Sequence, residues 1–156
     1  MRRILHRVLP AAALLLAGVL IAGQAGLFAG TRPAGLGVHQ GRLKPAPATP
    51  NCVSSESVEG YSKIAPLTYS GDGRAALARL HALVAAMPAA TVIDFRADYV
   101  YAEFISKWLG FVDDVEFHLD ESAGLIHVRS ASRLGQKDFG VNRERVETLR
   151  ASFGKG

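Results

Sequence analysis

Residues 112–132 read V-D-D-V-E-F-H-L-D-E-S-A-G-L-I-H-V-R-S-A-S, and their alternation decides the fold. In Val112–Leu119, the apolar Val115, Phe117 and Leu119 alternate with Asp114, Glu116 and His118. In Leu125–Ala131, Ile126, Val128 and Ser130 alternate with His127 and Arg129. Strand side chains point to opposite faces in turn, so each run has one apolar and one polar face. The Glu121-Ser122-Ala123-Gly124 turn joins the runs as a hairpin, with Phe117 opposite Val128 and Leu119 opposite Ile126. A slip of one residue would set apolar side chains against polar ones, so this register is predicted. The other face then carries Glu116 opposite Arg129 and His118 opposite His127. An opposite-charge pair across a ladder contributes roughly 0.2–1 kcal/mol.

Working outward, Ser70-Gly71-Asp72-Gly73 is a turn in which Asp72 caps a helix. Ala76, Leu77, Leu80, Leu83, Val84 and Met87 follow at helical spacing, and Pro88 ends the run. Strands are predicted at Thr91–Arg96 and Tyr99–Lys107, with a short one in Ser62–Tyr69 interrupted by Pro66. A last helix follows Gly140, with Val146, Leu149 and Phe153 as its apolar stripe. Short turns between strands make an antiparallel sheet. The expected fold is α+β, an antiparallel sheet of about four to five strands covered on one face by two helices.

Three segments are expected: residues 1–30, 31–50 and 51–153. Arg2, Arg3 and Arg7 precede Val8–Ala29, a run without charge, which is the pattern of an export signal. Its length exceeds the ~7–15 apolar residues of a cleavable signal and approaches the ~20 of a membrane span. It therefore reads as an uncleaved anchor, with the domain facing the periplasm from the inner membrane. Gly23-Gln24-Ala25 offers a cleavage site for the other reading, a signal peptide. Thr31–Pro50 is rich in Gly and Pro and reads as a linker whose last part, Arg42–Pro50, lies extended on the domain. The chain has 18 Lys+Arg and 14 Asp+Glu; without the three N-terminal arginines the balance is 15 to 14. No basic run with interleaved aromatics occurs, so nucleic-acid binding is not expected.

At these residues the chain resembles the family catalogued as domain of unknown function 1499. The motifs are G-R-L-K-P (41–45), P-N-C-V-S-S (50–55), D-D-V-E-F (113–117), R-S-A-S-R-x-G (129–135) and D-x-G-x-N-R-x-R-x-E (138–147). The resemblance covers Gly41 to about Phe153. It implies an exported or envelope domain with no established activity. Members commonly carry P-C-P ahead of the second motif; here Ala46 stands at that Cys position, so a disulfide to Cys52 is not available.

Asp113, Asp114 and Glu116 are expected to pair with Arg129, Arg133, Arg143 and Arg145, because the planar guanidinium satisfies several carboxylate oxygens at once. Alternatively, Arg133, Gly140, Asn142 and Arg143 form an anion site at a helix start, where free N–H groups attract negative charge. The neighbouring acids favour the structural reading. His118 and His127 with Glu116 resemble a metal set, but no fourth ligand is evident and no metal is assigned. Cys52 with Ser54 and Ser55 is a candidate nucleophile group without a His near in sequence. The alternative is that Asn51–Ser55 is a turn. No cofactor motif occurs.

Two functions follow. One is a non-enzymatic binding or structural module, tethered to the membrane, for a partner protein or a small anionic ligand. The other is a hydrolase or transferase using Cys52 or the acidic cluster.

Overall fold

The structure, a computed structural model, describes residues 2–155, with side chains for Pro10 and for residues 12–155. Arg2, Arg3 and Arg7 lie outside the described side chains. The first helix, α1, is Arg2–Gln24. Among the described residues no helix is long and apolar enough to cross a membrane. The elements that follow are β1 Cys52–Ser54, β2 Leu67–Thr68, α2 Gly73–Ala85, β3 Ala90–Phe95, β4 Tyr99–Ile105, β5 Val112–Asp120, β6 Leu125–Ser132 and α3 Val141–Phe153.

The sheet runs β1-β6-β5-β4-β3, and β2 also pairs with β6. Every pairing between these strands is antiparallel. The central hairpin has the register that alternation demands: Glu116 opposite Arg129, Phe117 opposite Val128, His118 opposite His127 and Leu119 opposite Ile126. Val115, Phe117, Val128 and Ile126 share one core with Leu77, Leu80 and Val84 of α2 and with Val146, Leu149 and Phe153 of α3. Fully burying a side chain such as Phe117 or Leu80 contributes roughly 1.5–3 kcal/mol. Asp72 caps α2 as its position suggests, its Oδ1 accepting from the Ala75 N–H at 2.7 Å.

Two short strands differ from the sequence reading. Asn51–Ser55 is not a turn: Cys52–Ser54 is a strand, paired with Ala131, Ser130 and Arg129 of β6. A three-residue run carries too little alternation to declare itself. The strand expected in Ser62–Tyr69 shrinks to Leu67–Thr68, because Pro66 has no N–H to offer a ladder.

The Gly/Pro-rich segment read as a linker packs from Arg32 to Leu43 as a strap on the polar face of the sheet. Leu36, Val38 and Leu43 form a second apolar cluster with Tyr99 and Tyr101. The strap places a third layer over residues that a two-layer fold would leave in water.

Candidate functional site

Beneath the strap lies a covered array of charge. Glu116 is 0% exposed. Its Oε1 accepts the Gly37 N–H at 2.7 Å and the Tyr99 hydroxyl at 2.8 Å, while Oε2 accepts Arg129 Nη1 at 3.2 Å. Arg129 Nε is buried and, among the described residues, has no hydrogen-bond partner. Asp114 accepts the Tyr101 hydroxyl at 2.6 Å and both Nε and Nη2 of Arg133. Arg133 also pairs with Glu103, which Arg32 of the strap reaches from the other side at 2.7 Å.

These contacts set the protonation states. Hydrogen bonding to Asp114 raises the Arg133 guanidinium pKa against the cost of burial. Burial alone would raise the Glu103 carboxyl, but Arg133, Tyr101 and Arg32 hold it below its usual range. Burial and the adjoining carboxylates push the Tyr99 and Tyr101 hydroxyls up, so both remain donors.

The sheet divides the acidic run. Asp113 points to the helix side and pairs with Arg145 at 2.5 Å, and that guanidinium sits 4.6 Å from the Phe104 ring centroid. Arg143 joins neither group. Its Nη2 donates to the carbonyls of Tyr61 and Lys63 at 2.6 and 2.8 Å.

The structure does not bring the four anion-site residues together. Arg133 is committed to Asp114 and Glu103 on the strap side. The start of α3 is already occupied by a carboxylate of the chain: Asp138 accepts the N–H groups of Gly140 and Asn142 at 3.1 and 3.0 Å, and the Tyr61 hydroxyl at 2.7 Å. Against burial, these donors lower the Asp138 carboxyl pKa. The Asn142 side chain turns inward, donating to the Asn51 carbonyl at 3.1 Å and accepting from Ser130 at 2.6 Å.

Cys52 is buried, and burial pushes its thiol up to about 11 in spite of the Arg129 charge. Its sulfur donates to the Val53 carbonyl at 3.5 Å. The His118 and His127 rings stack with centroids 6.2 Å apart. His127 Nδ1 faces Ser55 Oγ at 3.2 Å, and His118 Nδ1 is buried with no hydrogen-bond partner among the described residues. Among the described residues no group of three His, Cys, Asp or Glu is placed to hold a metal ion.

An open cleft of about 650 Å³ lies beside the strap, between Gly35–Ala46 and the Ser54–Ser62 loop. His39, Arg42 and Lys44 supply its basic groups, Glu56 and Glu59 its acids, and Leu43, Pro45 and Val58 its apolar surface. Glu56 ties the walls together, accepting Arg42 Nε at 2.6 Å and the Leu43 N–H at 2.7 Å.

A family model described as Protein of unknown function (DUF1499) matches residues 42–153. The chain belongs to this family. No curated protein and no solved structure matches it. The DUF1499 match opens at Arg42, so most of the strap precedes it. The G-R-L-K-P (41–45) and P-N-C-V-S-S (50–55) motifs meet at the cleft through Arg42, Leu43, Lys44, Pro45 and Ser54.

Sequence reasoning missed Glu103, Tyr99 and Tyr101, although their spacing of two along one strand carried a polar-face signal. It also missed Asp138, which lies two residues ahead of the Gly140 N-cap and accepts N–H groups at the helix start. The roles of Glu56 and the strap had no local signal.

Proposed function

We propose that this DUF1499 domain is a non-enzymatic envelope module, exported and held at the inner membrane by its N-terminal segment, that binds a segment of a partner protein in the cleft. The observation that carries this reading is the meeting of two motifs at one open cleft, while Asp113, Asp114, Glu116, Arg129, Arg133 and Arg145 of the other motifs are paired with one another. A concave surface with mixed charge and exposed apolar side chains suits a peptide better than a small anion, whose arginine here is already paired with Glu56. The Val8–Ala29 run behind three arginines supports the address.

The alternative, a hydrolase or transferase, needs an activated thiol or an uncommitted carboxylate. Cys52 has its thiol pushed up to about 11, and Asp113, Asp114 and Glu116 each face an arginine.

Photocrosslinking in living cells tests the binding reading. A photoreactive residue at Val58, which is exposed in the cleft wall, is expected to give an adduct of one discrete mass. A probe at Glu147, on the exposed side of α3, should not. Equal adducts from both positions, or none from Val58, reject the cleft. A reporter enzyme active only outside the cytoplasm, fused at Gly156, checks the address, and intact mass separates an anchor from a cleaved signal.

A further inference from the structure

The end of α1 is seated on the domain. Gln24 Nε2 donates to the carbonyls of Lys107 and Trp108 at 2.9 and 3.3 Å. A methyl group placed on Gly23 would lie 2.5 Å from the Leu109 carbonyl oxygen, and one on Gly110 would strike the Gly23 carbonyl oxygen. Two glycines therefore let the helix backbone and the β4–β5 loop meet without side chains between them. A few residues on, Phe28 stacks on Phe111 with centroids 5.5 Å apart. The loop and the helix end are thus held at one level.

That level is apolar and exposed. Trp108 is 67% exposed and Leu27 is 69%. On the helix behind them, Leu14, Leu15, Leu16 and Ile21 are all exposed. Successive residues of a helix point in different directions, so Leu14 to Leu16 show that α1 presents apolar side chains around most of its circumference. A helix apolar all round is not covered by water, and here the rest of the domain does not cover it. Lys107 lies beside the indole, its Nζ 5.2 Å from the Trp108 ring centroid. A tryptophan with an adjacent lysine at the end of an apolar helix is the side-chain set of a membrane–water boundary, where the ring sits among headgroups and the ammonium meets phosphate. Beside the loop, the exposed Ile105 and Val141 line a hollow with Lys107, which widens the same apolar end.

We infer that the Lys107–Phe111 loop is a second membrane contact: with α1 in the bilayer, it rests in the headgroup layer and fixes the orientation of the domain on the lipid surface. The inference rests on the tethering reading above. It gives the seat on Gly23 and Gly110 a function, since a flexible tether would let the domain tumble and this seat stops it.

Trp108 is the sole tryptophan of the chain, so its fluorescence reports on this loop alone. The full chain would be reconstituted in phosphatidylcholine–phosphatidylglycerol vesicles carrying bromine either near the headgroup end or near the methyl end of the acyl chains. Flotation on a density gradient reports tethering, and quenching reports the loop. The expected result is that the protein floats, that Trp108 emission shifts to the blue, and that headgroup-end bromine quenches it more than methyl-end bromine. Protein that floats with unquenched Trp108 overturns the loop contact and leaves the tether standing. Protein that does not float overturns the tethering reading itself. Gly23→Leu, which cannot fit beneath the Leu109 carbonyl, should still float but lose the quenching. Retained quenching in that variant overturns the role of the seat.

Discussion

The Gly37 N–H donates to Oε1 of Glu116 at 2.7 Å, across a separation of 79 residues in the chain. Through this bond the strap supplies a donor to a carboxylate that has no access to water. Gly37 has φ +107°, a backbone conformation that only glycine adopts without strain. Gly37→Ala should cost about 1–3 kcal/mol of stability, the usual range for forced backbone strain. A denaturant titration gives the value, and an unchanged midpoint would mean that the strap contributes nothing to the fold.

Arg129 and Arg143 should separate clearly. Removing the arginine of a buried pair leaves its partner charged and unsolvated, at about 3–5 kcal/mol. Arg129→Ala, which strands Glu116, belongs there. Arg143 is an exposed donor to two carbonyls, and Arg143→Ala should cost about 1 kcal/mol. Urea unfolding of both variants measures the difference. Equal losses would contradict the division of the arginines described above.

Asp138 should leave a mark in the acid range. Its folded pKa is lowered, so its contribution is present above the unfolded value of about 3.9 and is lost as pH falls through the folded value beneath it. Asp138→Ala removes the acceptor at the start of α3 and should cost about 0.5–2 kcal/mol near neutral pH. The gap between the wild type and this variant should narrow as pH is lowered below about 4. A gap independent of pH would remove charge from the account of the cap.

Cys52 should react only when the domain opens. With the thiol buried and pushed up to about 11, iodoacetamide at pH 8 should label the native chain very slowly and the urea-unfolded chain readily. Rapid labelling of the native protein, followed by mass spectrometry, would show an activated thiol and revive the enzyme reading.

The sequence alone determined the pieces whose information is local. A period of two set the register of β5 and β6, because a one-residue slip would invert every side chain of the hairpin. Helical spacing and Asp72 located α2, and the stripe of Val146, Leu149 and Phe153 located α3. It also identified Glu116 opposite Arg129 as a pair. Tertiary structure decided what those pieces face. The strap has neither helical nor strand periodicity, so nothing in residues 31–45 announces that Leu36, Val38 and Leu43 will cover Tyr99 and Tyr101. Neighbours in the run Asp113-Asp114 part company because the pleat sends one to α3 and the other to the strap side. The start of α3 looked free for an anion until the fold brought the Asp138 carboxylate and the Tyr61 hydroxyl to it. Periodicity encodes which side a residue takes; only the packed chain determines which partner waits there, since that partner is brought in by segments tens of residues away.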